Sequence, residues 1–96
     1  MRHEVIFAPE AIEDVRRLKP YLRSMVRDAI EKSLRHAPTH VSKSHIKRLE
    51  GVSRPNFRLR VGGIRVFYDV RESTVEILAV VSKADAASWL KERGER

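Results

Sequence analysis

Phe57-Arg58-Leu59-Arg60-Val61-Gly62-Gly63-Ile64-Arg65-Val66-Phe67-Tyr68 alternates apolar and basic residues up to a pair of glycines and then resumes. Phe57, Leu59 and Val61 take every second position and Arg58 and Arg60 lie between them, the period of a strand with one buried face. Gly62-Gly63 supplies the positive φ angles of a two-residue hairpin turn. That turn sets Val61 against Ile64, Arg60 against Arg65, Leu59 against Val66 and Arg58 against Phe67. Successive side chains point to opposite faces, so Arg58, Arg60 and Arg65 share one face. Like charges across a strand pair are destabilising. A polyanion seated on them is the simplest reason for such a placement.

The charge of the whole chain is concentrated around this hairpin. Between Arg35 and Arg65 eight basic side chains face the single acid Glu50, which accounts for the net charge of +7. His36, His40 and His45 lie in the same segment. Concentrated positive charge is the footprint of a nucleic acid or of an acidic protein partner.

Outward from the hairpin, Val5-Ile6-Phe7 reads as a first strand. Pro9 and the acids Glu10, Glu13 and Asp14 open a helix, with Ala11, Ile12, Val15 and Leu18 at helical spacing. Lys19-Pro20 ends it, because a proline disfavours helical geometry in the residue before it. A second helix over about 21–36 carries Leu22, Met25, Val26, Ala29, Ile30 and Leu34 on one stripe, and the tight connection predicts an antiparallel helical hairpin. Ile46-Lys47-Arg48 begins a short strand, 53–56 is a loop, 69–73 a turn, and 74–82 the most apolar strand. A closing helix spans about 84–93. This order predicts an α+β fold: a small antiparallel-rich sheet with helices on one face, namely the N-terminal helical hairpin and a short C-terminal helix.

The chain of 96 residues predicts one domain over 1–96. Its lack of cysteine excludes disulfides and thiolate metal sites and fits a cytoplasmic setting. No apolar run approaches the length of a membrane span, and the N-terminus lacks the pattern of a signal peptide. His, Asp and Glu are too dispersed for a metal site, and no cofactor is implied.

The segment His45-Ile46-Lys47-Arg48-Leu49-Glu50-Gly51 followed by the arginine hairpin resembles the RelE/ParE superfamily of toxins, whose members carry a similar Lys-x-Leu-x-Gly stretch before a Tyr/Phe-Arg-x-Arg-x-Gly-x-x-Arg-x-x-Tyr hairpin. The resemblance covers nearly the whole chain. It implies the toxin of a type II toxin–antitoxin pair, neutralised by a cognate antitoxin and meeting operator DNA only through that complex, with no membrane partner. In the RelE-like branch, favoured here, the toxin enters the ribosome and cuts mRNA: the 2′-hydroxyl attacks the adjacent phosphate and leaves a cyclic phosphate, without a metal. In the ParE branch the target is DNA gyrase and the toxin is not a nuclease. A degenerate, non-toxic member is the third possibility.

The resemblance implies catalytic roles for Arg65, then Arg60 and Arg58, with Lys83 in the Ser82-Lys83-Ala84-Asp85 segment after the last strand. Guanidinium groups suit this chemistry, since a phosphorane-like transition state gathers negative charge that they stabilise bidentately. They stay protonated, so a proton carrier has to come from elsewhere, with His36, His40, His45, Lys43, Lys47 and Lys83 available. Lys43, Lys47, Arg48, His45 and Arg54 are the candidates for RNA contact. Tyr68 alternates with Val66 and Val70 and reads as a packing residue. Trp89 reads as packing the last helix on the sheet, and with Leu90 it is the candidate antitoxin anchor. An acidic antitoxin segment is expected over Arg58, Arg60 and Arg65, with apolar anchors in a groove beside the helical hairpin.

Overall fold

Residues 2–95 are described in the computed structural model. In chain order they form β1 (Glu4–Phe7), α1 (Pro9–Arg16), α2 (Pro20–Ala29), β2 (Ile46–Arg48), β3 (Phe57–Val61), β4 (Ile64–Arg71), β5 (Thr74–Ser82) and α3 (Lys83–Arg93). The strands make one sheet in the order β1-β5-β4-β3-β2. Only the β1–β5 pair is parallel; the other three pairs are antiparallel. No helix is long and apolar enough to cross a membrane among the described residues.

The β3–β4 register is the one that the glycine turn dictates, from Val61 opposite Ile64 through Arg58 opposite Phe67. Gly62 takes φ +57°, a left-handed conformation that glycine adopts without penalty. Phe57, Leu59, Val61, Val66 and Tyr68 thereby point to one face. There they meet Ala11, Val26, Ile30 and Leu34 from the helices in a single core. Phe57 and Tyr68 stack across the strand pair at 5.6 Å.

Proline opens both α1 and α2. α2 continues without a break into a π-helical turn, Ile30–Leu34. The wider turn brings residues four apart closer to one phase, and Val26, Ile30 and Leu34 are all buried as a result. α1 packs chiefly on β5 and α2 on β3, so the helical hairpin straddles the sheet. β1 covers β5 only as far as Ile77. Beyond it, Asp14 of α1 accepts the Val80 amide at 2.9 Å and satisfies a donor that would otherwise face an unpaired sheet edge.

Two expectations are corrected. The C-terminal helix does not join the other helices on their face. Trp89 of α3 stacks on Phe67 at 4.9 Å, and Phe67 points away from the main core, so α3 covers the opposite face. The predicted turn over 69–73 shrinks to Glu72-Ser73, with Glu72 at φ +55°. β4 continues through Asp69 because its carboxylate is satisfied in place: Oδ1 accepts the Asn56 amide at 2.8 Å and Oδ2 accepts Arg54 Nε at 2.6 Å.

Arg54 is the hub of this end of the sheet. It donates to Glu76 as well at 2.6 Å, and Glu95 lies 3.9 Å from its guanidinium. The Glu95 backbone completes a clasp, accepting from the Ser53 amide at 2.6 Å and donating to the Arg54 carbonyl at 2.7 Å. An Arg93–Glu10 pair at 2.7 Å ties the end of α3 to α1.

Truncation of Arg54 leaves Asp69 buried without its cation. The guanidinium is 37% exposed, so Arg54→Ala is expected to cost about 2 kcal/mol rather than the roughly 3–5 of a fully buried pair, read from the urea midpoint. Tyr68 offers a pH test. Its hydroxyl is buried, donates to the Pro38 carbonyl at 2.7 Å, and has its pKa raised by that burial. A raised folded-state pKa contributes stability that is full below the unfolded value of about 10 and is lost as pH rises above it. Wild type is expected to lose stability above about pH 10 more steeply than Tyr68→Phe, which itself costs about 1 kcal/mol at neutral pH; parallel pH profiles would refute this.

Candidate anion-binding face

The face opposite the helical hairpin carries two basic rows. In the first, Lys47 of β2 pairs with Arg58 of β3, and Arg58 with Phe67 of β4. In the second, Arg60 pairs with Arg65, and the Arg60 amide donates to the His45 carbonyl at 2.8 Å. The strand period makes Lys47, Arg58, Arg60 and Arg65 neighbours on one surface.

The three arginines differ in their surroundings. Arg60 is exposed. Arg65 is only 6% exposed, and one of its terminal nitrogens donates to the carbonyls of Gly62 at 2.9 Å and Ile64 at 3.1 Å. It braces the hairpin turn. Arg58 is half-buried, and its Nε is sealed from solvent without a hydrogen-bond partner among the described residues. Burial, then the charges of Arg65 and Arg60, push its pKa below the usual arginine value.

Lys83 opens α3, and its amide donates to the Gly63 carbonyl at 2.8 Å, so the helix begins against the hairpin turn. The Ser82 hydroxyl caps it by accepting from the Asp85 amide at 3.2 Å. Phe67 and Trp89, nearly coplanar at 6° and stacked, form an apolar wall beside Arg58. Trp89 therefore packs α3 on the sheet, with Leu90 half-buried next to it.

The remaining sequence candidates fall elsewhere. Arg48 pairs with Phe57 and its guanidinium lies 5.4 Å over that ring, on the helical side of the sheet. Arg54 is taken up by three carboxylates. Lys43 and His45 sit exposed in the loop before β2, with Ser44 Oγ 3.0 Å from His45 Nδ1. Sequence reasoning missed the buried Asp69 and the Phe67–Trp89 stack. Phe67 was legible in one respect, being the lone aromatic at a position of the charged face.

Chemically, the face can hold negative charge. Its arginines cannot take up a proton near neutral pH, so any proton transfer there falls to His45, Lys83 or Lys47 at its border. No group of three or more His, Asp or Glu side chains converges as a metal site among the described residues.

Residues 5–87 match the family model described as the ParE toxin of type II toxin–antitoxin systems, parDE. Among solved structures, the chain is similar to the toxin–antitoxin complex RelBE2 from Mycobacterium tuberculosis, with a TM-score of 0.74 and 26% identity over 85% of this chain and 99% of that one. It is also similar to a doubly substituted E. coli toxin RelE in the free state (0.72, 21%, over 96% and 94%) and to the RelB–RelE complex from Methanococcus jannaschii (0.69, 20%, over 88% and 96%). These last two speak for the fold alone. No curated protein sequence matches.

The unequal settings of the paired arginines lead to unequal substitutions. Arg60→Ala is expected to leave the urea midpoint within about 0.5 kcal/mol of wild type, since an exposed like-charge neighbour is removed. Arg65→Ala is expected to destabilise by about 2 kcal/mol, since two carbonyls lose a charged donor. Equal effects would show that Arg65 does not brace the turn.

Proposed function

The chain belongs to the ParE toxin family of type II toxin–antitoxin systems, and on that premise we propose that it blocks translation in the cytoplasm by cutting mRNA on the ribosome. The observation that carries this reading is the surface of Lys47, Arg58, Arg60 and Arg65, two rows of cations on one sheet face. The charges that act on Arg58 are those of Arg65 and Arg60, and no carboxylate is among them. Such a surface suits an RNA backbone and the added charge of a transition state at phosphorus.

In the proposed step the 2′-oxygen forms a bond to the adjacent phosphorus as the bond from phosphorus to the 5′-oxygen breaks. The proton leaves the 2′-hydroxyl and the 5′-oxygen gains one, giving a cyclic phosphate and a 5′-hydroxyl. Arg58 and Arg60 stabilise the equatorial oxygens, and Arg65 holds the turn that carries them. His45 and Lys83, at the two margins of the Arg60–Arg65 row, are the proton carriers within reach of the face. Positioning of the mRNA by the ribosome supplies part of the acceleration.

The cognate antitoxin is proposed to use two surfaces. An acidic segment covers the cation rows and excludes RNA by charge. Apolar anchors enter a groove of about 240 Å³ between β1, α1 and α2, lined by Val5, Phe7, Val15, Val26 and Ile30 and rimmed by Arg23, Arg27 and Arg35.

A second reading, inhibition of DNA gyrase without catalysis, is favoured by the family match itself and by a face poor in proton carriers. Primer extension on a reporter mRNA after induced expression separates the two. Translation-dependent cuts at defined codon positions, reduced at least tenfold by Arg60→Ala, are the expected result. Arg60 is the control of choice because it is exposed and its loss leaves the fold intact. Growth arrest with intact mRNA would replace the nuclease reading with the gyrase one.

A further inference from the structure

We propose that Arg58 is the centre of a preformed oxyanion receptor, which takes one tetrahedral anion of the phosphate class on the open face of the sheet without RNA, ribosome or antitoxin. The inference concerns ground-state binding and is independent of whether the chain cuts RNA, because a non-catalytic toxin with this face would bind the same anion.

The root of Arg58 is fixed on both sides, opposite Lys47 on one neighbouring strand and opposite Phe67 on the other. Its Nε is buried and donates to nothing among the described residues. Buried donors are almost always satisfied, and an unsatisfied one on a charged group marks a place where an acceptor belongs. The obvious internal acceptors are committed: Asp69 and Glu76 both bond to Arg54. The other cations are arranged around the position rather than competing for it. Arg65 is turned inward on two carbonyls and supplies a fixed positive wall. Arg60 and Lys47 are exposed and free to close over a ligand.

The neighbouring Phe67–Trp89 stack keeps water from one side of Arg58, which strengthens a charge-assisted hydrogen bond. The planar fork of a guanidinium matches two oxygens of a phosphate. An anion there also relieves the crowding with Arg60 and Arg65 that lowers the pKa of Arg58. This assignment shifts weight from Arg65, the arginine that the family resemblance puts first, to Arg58. Arg65 has already spent donors on the turn; Arg58 has one left to give.

The test is thermal unfolding of the intact chain titrated with inorganic phosphate, ionic strength held constant with sodium chloride. Wild type is expected to gain stability along a saturating curve, with a rise of roughly 5 °C at tenfold excess over the dissociation constant. Arg58→Gln is expected to lose the saturating part and keep only the shallow, linear rise that phosphate gives to proteins in general. Arg17→Gln removes the same charge from exposed α1 and is expected to retain the full curve. A linear response in wild type, or a saturating one that survives in Arg58→Gln, overturns the proposal. If Arg58→Gln does not fold, phosphorus NMR on wild type decides: line broadening of phosphate that saturates with one equivalent supports the receptor, and unbroadened lines refute it.

Discussion

The register between β3 and β4 is the constraint on which the rest of this structure depends. A strand has two faces, and a slip of one residue exchanges them completely. Here one face carries Phe57, Leu59, Val61, Val66 and Tyr68, and the other carries Arg58, Arg60 and Arg65. A slipped register would place guanidinium groups against Val26, Ile30 and Leu34 and expose five core side chains to water. Burial of one such side chain is worth about 1.5–3 kcal/mol, so the combined penalty exceeds the whole stability of a domain this size. The Gly62-Gly63 turn sets the register locally, and the core enforces it globally. The basic face follows from the apolar one.

That logic explains how the fold tolerates its own charge. Repulsion between neighbouring arginines on a sheet costs a few tenths of a kcal/mol to about 1 kcal/mol per pair. The apolar side chains on the reverse of the same strands offset it several times over. Arg65 reduces the cost further by bonding to Gly62 and Ile64 carbonyls, which turns a repulsive neighbour into part of the turn. The clasp formed by Ser53, Arg54 and Glu95 and the Phe67–Trp89 stack then hold α3 on the same side as the cations. α3 narrows the accessible part of the face to the strip around Arg58 and Arg60.

The fold was legible in the sequence where a local rule had a global partner. The glycine pair, the alternation around it and the prolines at Pro9 and Pro20 each specify an element alone, and each element is present. Side-chain identity at long range was not legible. Asp69 beside Val70 and Arg71 reads as the start of a turn, and only the arrival of Arg54 and the Asn56 amide makes a buried carboxylate stable in a strand. Arg54 itself reads as one more basic residue in a basic segment; its three carboxylates come from positions 15 to 41 residues away. The face that α3 covers was equally hidden, because the sequence shows that Trp89 needs a partner but not that Phe67 is the partner.

The same limit applies to the candidate site. Charge and period together show that Arg58, Arg60 and Arg65 share a face, and they rank the three as equivalent. Their burial separates them, and burial is set by what the other elements leave uncovered. Arg60 lies open, Arg65 is enclosed and satisfied, and Arg58 is enclosed at one nitrogen and unsatisfied there. A cation that is exposed binds weakly, because water competes for it. A cation whose donors are all used binds nothing. Only the intermediate case, desolvated in part with a donor to spare, combines a strong interaction with a vacancy in its hydrogen bonding. The position with the greatest capacity to hold an anion is therefore fixed by the least local property of the sequence, the packing of α3 and the turn around a strand specified some twenty residues earlier.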